Sequence, residues 1–340
     1  MSLRGAKRRS NLEEFARYYH ALRDRDDNKA SNTLRLHMKE KNQKEKIAAV
    51  VVTYNRKDLL KECLDALLNQ TRPLDSIILI DNASTDGTPE FLKEKGYLDN
   101  PKLDYVRLPE NTGGSGGFHE GVKRGYEKGY DWLWLMDDDT ISEKNSLEYL
   151  LEIAFLNLNI NIGFLCSKVL WTDETPHKMN LPQINPFVNK IPFNIFEGYE
   201  ILLVNSCSFV SVLIKKDIIK EVGLPIKDFF IWGDDLEYTS RIRSKNYVGV
   251  YVRKSKVIHK TKINYSANDN IIDCTKHFYG TRNNLYIKRQ KGFFNFLIHF
   301  TFEFLNTFHI NKNLRNSHLK GLFASLFFNP KIDYVKDNKH

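Results

Sequence analysis

The run Ile47-Ala48-Ala49-Val50-Val51-Val52 leads directly into Thr53-Tyr54-Asn55-Arg56. An unbroken apolar and β-branched run without polar alternation marks a strand covered on both faces, as in a parallel sheet. A helix is expected next over Lys57–Asn69, where Leu59, Leu60, Cys63, Leu64, Leu67 and Leu68 share one face. The alternation continues with a strand at Ser76–Ile80, a short helix at Pro89–Lys95 and a strand at Asp104–Leu108. A Gly-opened helix at Gly114–Lys128 and a strand at Trp132–Met136 complete it. Strands alternating with helices predict an α/β domain with a parallel sheet and helices on both faces. In such sheets ligands collect at the carboxyl ends of the strands. There the sequence puts Thr53-Tyr54-Asn55, Asp81-Asn82, Asn111 and Asp137-Asp138-Asp139.

The second half is less regular. Strands are expected at Gly163–Trp171 and Ser208–Ile214, with helices at Asp217–Glu221, Asp234–Lys245 and Lys276–Gln290. Val248–His259 reads as a strand pair or meander, and the Pro- and Asn-rich stretch Pro176–Glu200 as a long loop over the site.

Composition bounds the function. The chain has 340 residues, 41% hydrophobic and 27% charged, with mean hydropathy −0.46. That is enough apolar material for a sizeable core, and it excludes a disordered chain, a coiled coil or a disulfide miniprotein. The net charge of +9 sits at the ends. Residues 1–46 carry 13 basic and 7 acidic groups, residues 291–340 carry 7 and 3, and the middle carries 31 and 32. A nucleic-acid domain would spread positive charge over its core, so no nucleic-acid partner is expected. Cys63, Cys166, Cys207 and Cys274 are far apart with no C-x-x-C, which reads as reduced thiols in a cytoplasmic protein. No apolar h-region follows the N-terminal basic residues, and no window of 18 or more apolar residues exists.

The chain divides into three parts. Residues 1–46 are a charged leader with Leu12, Phe15, Tyr19 and Leu22 at helical spacing; 47–290 are the α/β domain; 291–340 are a Phe-rich basic extension. Phe293–Ile310 holds seven Phe interrupted by polar residues, with Lys312 and Arg315 beyond. It is too polar to span a bilayer. It either packs on the core as a helical pair or lies in a membrane interface.

Four groups carry chemistry. Asp137-Asp138-Asp139 ends an apolar strand, and three crowded carboxylates call for a compensating charge. Mg2+ or Mn2+ supplies it and also takes diphosphate oxygens. Asn111-Thr112-Gly113-Gly114-Ser115-Gly116-Gly117 opens a helix, where backbone N–H groups can face an anion; it matches neither the dinucleotide nor the Walker pattern, which disfavours a nicotinamide dehydrogenase. Trp232-Gly233-Asp234-Asp235-Leu236-Glu237 presents carboxylates from an apolar wall, which suits a general base. His259 ends a strand and is either structural or a metal ligand that tilts preference toward Mn2+.

In this order the pieces resemble the inverting family 2 glycosyltransferases of the GT-A fold, over about Ile47 to Gln290. The carriers are Val51-Val52-Thr53-Tyr54-Asn55-Arg56, Ile80-Asp81-Asn82-Ala83-Ser84-Thr85-Asp86-Gly87-Thr88 and the Asp triplet. Asn111 through Phe118, Trp232 through Glu237 and Phe278-Tyr279-Gly280-Thr281-Arg282-Asn283 look most like galactofuranosyltransferases and related rhamnosyltransferases, apart from the inserted Gly233. The resemblance implies that Thr53, Tyr54, Arg56, Asp81, Asn111, Gly113, Gly114, Asp137 and Asp138 meet a UDP- or dTDP-linked sugar donor. It implies Asp139, with Asp137 and His259, as ligands of Mn2+ or Mg2+. Asp235 would be the base with Asp234 as competitor, and Trp232 and Glu237 would shape the site of a glycan or lipid-linked acceptor. The implied enzyme builds cell-surface polysaccharide in the cytoplasm; it is peripheral on the cytoplasmic membrane face if the Phe-rich extension lies in the interface and not on the core. A metal-dependent nucleotide-sugar hydrolase or nucleotidyltransferase and a non-catalytic carbohydrate-binding scaffold are the alternative classes.

Overall fold

Strand β1 (Ile47–Thr53) is buried along its whole length, as its sequence requires, and so is β2 (Ser76–Asp81). In the computed structural model the described residues are 45–156, 158–265 and 273–336. The leader helix expected near residue 15 lies outside them. Among the described residues, Lys46–Ala154 and the chain from Leu158 onward form one compact unit, which holds the sheet and the candidate site.

Between these strands runs α1 (Lys57–Leu68), which buries Leu60, Cys63, Leu64 and Leu67. Then come α2 (Thr88–Glu94), β3 (Leu103–Arg107), α3 (Gly113–Glu127) and β4 (Trp132–Asp137). The strands β3, β2, β1 and β4 lie side by side and parallel, in that order. Short β5 (Thr140–Ser142), α4 (Ser146–Phe155) and β6 (Ile162–Leu170) come next. A small hairpin, β7 (Phe187–Val188) with β8 (Ile191–Pro192), leads to β9 (Ile201–Val204), β10 (Val212–Lys215) and α5 (Lys216–Val222). The chain then makes α6 (Asp234–Ser244), β11 (Val248–His259), α7 (Cys274–Gln290), α8 (Phe293–Asn306) and α9 (Arg315–Phe327).

The sheet is mixed, where the sequence pattern predicts a parallel one. Strand β10 runs antiparallel between β4 and β6, and β5 and β9 pair antiparallel with β11. Three further expectations change. Val248–His259 is one twelve-residue strand rather than a pair. It lies along β6 with a register shift between Val252 and Lys256, and its other edge meets first β9, then β5. The strand expected from Ser208 begins only at Val212, and β9 falls in a stretch to which the sequence pattern assigns no element. The Pro176–Glu200 stretch keeps its loop character, except for the hairpin and short turns.

The main core lies between the sheet and α3. Phe118, Val122 and Tyr126 of α3 pack on Val50, Val52, Ile78, Ile80 and Leu133. Each such side chain contributes about 1.5–3 kcal/mol on burial. Trp134 is fully buried, and its indole N–H donates to the Ser211 hydroxyl at 2.9 Å. The α3 glycines have a reason other than an open phosphate cradle. A Cβ on Gly117, Gly121 or Gly125 would collide with Val52, Val50 or Leu133, so this stripe lets the helix lie close on the strands. The Ser115 N–H is already given to the Phe230 carbonyl at 3.1 Å.

Candidate active site

Strand β4 delivers Asp137, Asp138 and Asp139 at its carboxyl end, and β11 delivers His259 beside them. One ligand atom each of Asp137, Asp139 and His259 lies within 4.8 Å of the others. The Asp139 carboxylate is buried with Oδ1 3.0 Å from His259 Nε2, yet that oxygen makes no well-aligned hydrogen bond. An orphaned buried carboxylate oxygen beside a carboxylate and an imidazole fits a divalent cation. Burial alone would raise the Asp139 pKa, but His259 and Arg56 outweigh it and hold it below the ordinary value. The same contact raises His259 against the desolvation that would lower it. Asp137 is raised, by burial first and by the charge of Asp139 second.

Asp138 braces the end of β1. Its Oδ2 accepts from the Thr53 hydroxyl at 2.6 Å and from the Tyr54 N–H, and its Oδ1 accepts from Arg56. Burial pushes Asp138 up to about 7 although Arg56 opposes the shift. Asp81 is fully buried and accepts from the Tyr105 hydroxyl at 2.7 Å and the Ser84 N–H at 2.8 Å. Thr53 and Asp81 therefore engage protein partners, whereas Tyr54 and the Arg56 guanidinium reach solvent. Asn111 caps the turn ahead of α3, accepting from the Gly113 N–H at 2.9 Å. Gly113 has φ +72, and a Cβ there would strike the Phe230 carbonyl. Gly114 has open space around its Cα.

The charge of the first acidic stretch reaches the second. Asp234 and Asp235 open α6 behind Gly233, which has φ +88. Both are raised: burial dominates, and the charge of Asp137 reaches each of them. Asp235 also accepts from the Leu236 N–H at 2.6 Å, which pulls the other way. Phe230 and Trp232 sit at φ +63 and +66, a strained geometry for side chains of that size. The fully buried Asn283 of α7 holds this loop. Its amide donates to the carbonyls of Phe229, Ile231 and Trp232 at 3.0, 3.1 and 2.8 Å. Glu237, expected near the acceptor, has a partner on its own helix. It forms a two-pronged pair with Arg241 at 2.9 Å, and Arg241 in turn donates to the Val222 and Leu224 carbonyls. That is a buried structural tie between α6 and the end of α5.

Two further residues join the site from the Pro176–Glu200 loop. Asn180 Oδ1 lies 2.8 Å from His259 Nδ1. The His177 ring stands 4.6 Å from that of His259. Neither carries a periodicity or motif in the sequence; only their contacts with β11 single them out.

Residues 48–223 match the family model described as Glycosyl transferase family 2. The chain is 28% identical over 266 residues to galactofuranosyltransferase GlfT1 of Mycolicibacterium smegmatis, covering 73% of this chain and 84% of that protein. It is 29% identical over 201 residues to GlfT1 of Mycobacterium tuberculosis, covering 58% and 64%. A similar solved structure is that of GalNAc-T7 with UDP, GalNAc and Mn2+, at TM-score 0.54 and 15% identity, covering 72% of this chain and 48% of that one. The chain thus spans just under two thirds of the second relative and about half of the solved neighbour. The family match includes the Asp triplet and ends before Trp232.

Proposed function

The chain belongs to glycosyl transferase family 2 and has the GT-A fold, and from this we propose an inverting, metal-dependent sugar transfer. The donor is a UDP- or dTDP-linked sugar, galactofuranose or rhamnose. The acceptor is a hydroxyl of a glycan or lipid-linked saccharide in cell-surface polysaccharide synthesis, met at the cytoplasmic membrane face. One observation supports this most: burial raises both carboxylates that open α6, and the charge of Asp137 at the end of β4 raises each of them further.

Asp137, Asp139 and His259 would hold Mn2+ or Mg2+, which when bound neutralises a departing diphosphate and polarises its oxygens. The imidazole favours Mn2+. Arg56, at the open side of Asp139, adds positive charge where a diphosphate would lie. Asp235 takes the proton of the acceptor hydroxyl as that oxygen bonds to the anomeric carbon and the bond to phosphate breaks. A carboxylate raised by burial is a stronger base than a free one. Asp234, more deeply buried beside it, stays protonated and leaves the negative charge on Asp235. A single displacement inverts the anomeric centre without an enzyme nucleophile. Trp232, held by Asn283, forms the acceptor wall.

The test is a thermal-shift panel of UDP- and dTDP-sugars with Mn2+, followed by product analysis with and without acceptor. Selective stabilisation by one donor with acceptor-dependent release of nucleoside diphosphate supports the reading. Equal release without acceptor makes the protein a hydrolase. A chain that no donor stabilises fits a carbohydrate-binding scaffold.

A further inference from the structure

Helix α8 has two faces with different surroundings. Its inner face sets Phe296 and Phe300 against Leu285 of α7 and Leu322 of α9. Its outer face carries Phe293, Phe294, Ile298, Phe302 and Leu305, and Phe308 follows just past its end, each between 57% and 78% exposed. Phe323 and Phe327 of α9 are exposed as well, the latter at 86%. Lys291, Lys312, Lys320 and Lys331 along the same segment are exposed. Between Lys291 and Lys331 the sequence has a single carboxylate, Glu303. That residue is about one third exposed and lies 3.7 Å from the buried His318 Nε2.

We propose that the outer face of α8, continued by the exposed Phe residues of α9, docks in the interface of an anionic lipid bilayer. Contiguous apolar surface of this kind marks an interaction site. Three observations select a membrane as its occupant. The segment is Phe-rich and flanked by Lys with almost no carboxylate, the composition that favours anionic headgroups over an apolar boundary. A second copy on this face would set its lysines against lysines. The helix has 14 residues, about 21 Å at the usual rise, which suits lying in the interface rather than crossing it. Among the described residues no helix is long and apolar enough to cross a membrane.

The docking pair is tied to the acceptor wall. Helices α8 and α9 both pack on α7, and α7 carries Asn283 and Arg282. The Arg282 guanidinium lies 3.7 Å from the Phe328 ring centroid and donates to the Asp228 carbonyl. Docking would set the Trp232 loop at a fixed place relative to the bilayer, as a lipid-linked acceptor requires. That last link rests on the proposed reaction; the docking surface does not.

The experiment is co-sedimentation of the full chain with vesicles of phosphatidylcholine, with and without phosphatidylglycerol. The wild type should bind the anionic vesicles and release as salt rises. The triple variant Phe294→Ser, Ile298→Ser, Phe302→Ser should lose about tenfold or more in partitioning. Its urea midpoint should hold, because these side chains are exposed. Should it drop, the variant Lys291→Gln, Lys312→Gln, Lys320→Gln carries the test and should weaken binding to anionic vesicles only. Equal binding by wild type and both variants, or none by wild type, overturns the proposal. So does a wild-type dimer in light scattering that the triple variant dissociates without any vesicle binding. Asp139→Ala separates the two readings: it should lose turnover and keep vesicle binding.

Discussion

Asn180 fixes which ring nitrogen of His259 faces the carboxylates. The Asn180 amide nitrogen donates to the Ser208 hydroxyl at 2.9 Å, which turns its oxygen toward His259 Nδ1 at 2.8 Å. The Nδ1–H donates there, so Nε2 points at Asp139. Groups that orient a metal-binding imidazole are typically worth about 10–100-fold in metal affinity. Asn180→Ala should weaken Mn2+ binding by that order in a titration followed by electron paramagnetic resonance. Asn180→Asp, which keeps an acceptor, should lose less. Identical Mn2+ affinity in all three proteins would show that His259 needs no such support.

Asp139 is expected to be indispensable for turnover. Asp139→Ala should reduce sugar transfer to background, and chelation of divalent ions should do the same to the wild type. Restored turnover on adding Mn2+ to the chelated wild type, but not to Asp139→Ala, places the loss at the cation. Turnover that persists in chelator removes the metal from the mechanism.

Asp235 and Asp234 are distinguishable by kinetics. Asp235→Asn should keep donor binding and cost about two to four orders of magnitude in kcat. Asp234→Asn, isosteric with a protonated Asp, should cost far less. The reverse pattern moves the base to Asp234. In the wild type kcat/KM should rise with pH through an apparent pKa above the ordinary carboxylate range, the direction burial imposes on Asp235.

Asn283→Ala would leave the Phe229, Ile231 and Trp232 carbonyls without their donor. Losing a buried, multiply bonded amide should cost about 3 kcal/mol, read as a lower urea midpoint. Relaxation of the Trp232 loop should raise the KM for acceptor while donor affinity holds. A variant with wild-type KM for acceptor would detach that loop from acceptor binding.

Stability should fall as pH rises from about 6.5 to 8 in the metal-free chain. Asp138, pushed up to about 7, and Asp234, pushed further, hold protons in the folded state that the unfolded chain releases near pH 4. Their contribution is complete below the unfolded value and lost as pH climbs through the folded one. His259 is raised and acts in the same sense. His119, His177 and His277 are lowered and act oppositely, but only below their unfolded value of about 6.5. Urea midpoints at three pH values check the slope, and Asp234→Asn should flatten it. A midpoint that climbs across this range would show that the buried carboxylates ionise without penalty.

The first half of the fold is legible in sequence because β1, β2 and β4 are buried on both faces, so their apolar runs are uninterrupted. The strand β11 is harder to read: Arg253 and Lys254 are exposed in its middle, where one neighbouring strand gives way to the next. Ser146–Phe155 has apolar residues at nearly consecutive positions, which blurs its helical period. The Asp triplet and His259 are legible as candidates because acidic residues at a strand end are costly without a partner. Asn180 is not, since its task exists only through a contact 79 residues away in the chain. Glu237 reads as part of an acidic cluster, but its partner Arg241 lies one turn further along the same helix and claims it.

The α3 stripe of Gly117, Gly121 and Gly125 bears on how mutational maps of this protein will look. Alanine at any of the three would force the helix off the strands it rests on. A tolerance scan will therefore score α3 as harshly as the carboxylates proposed to act in catalysis, although its intolerance comes from clearance measured in fractions of a methyl group. Assays that separate folded yield from turnover per folded molecule will tell the two kinds of sensitivity apart.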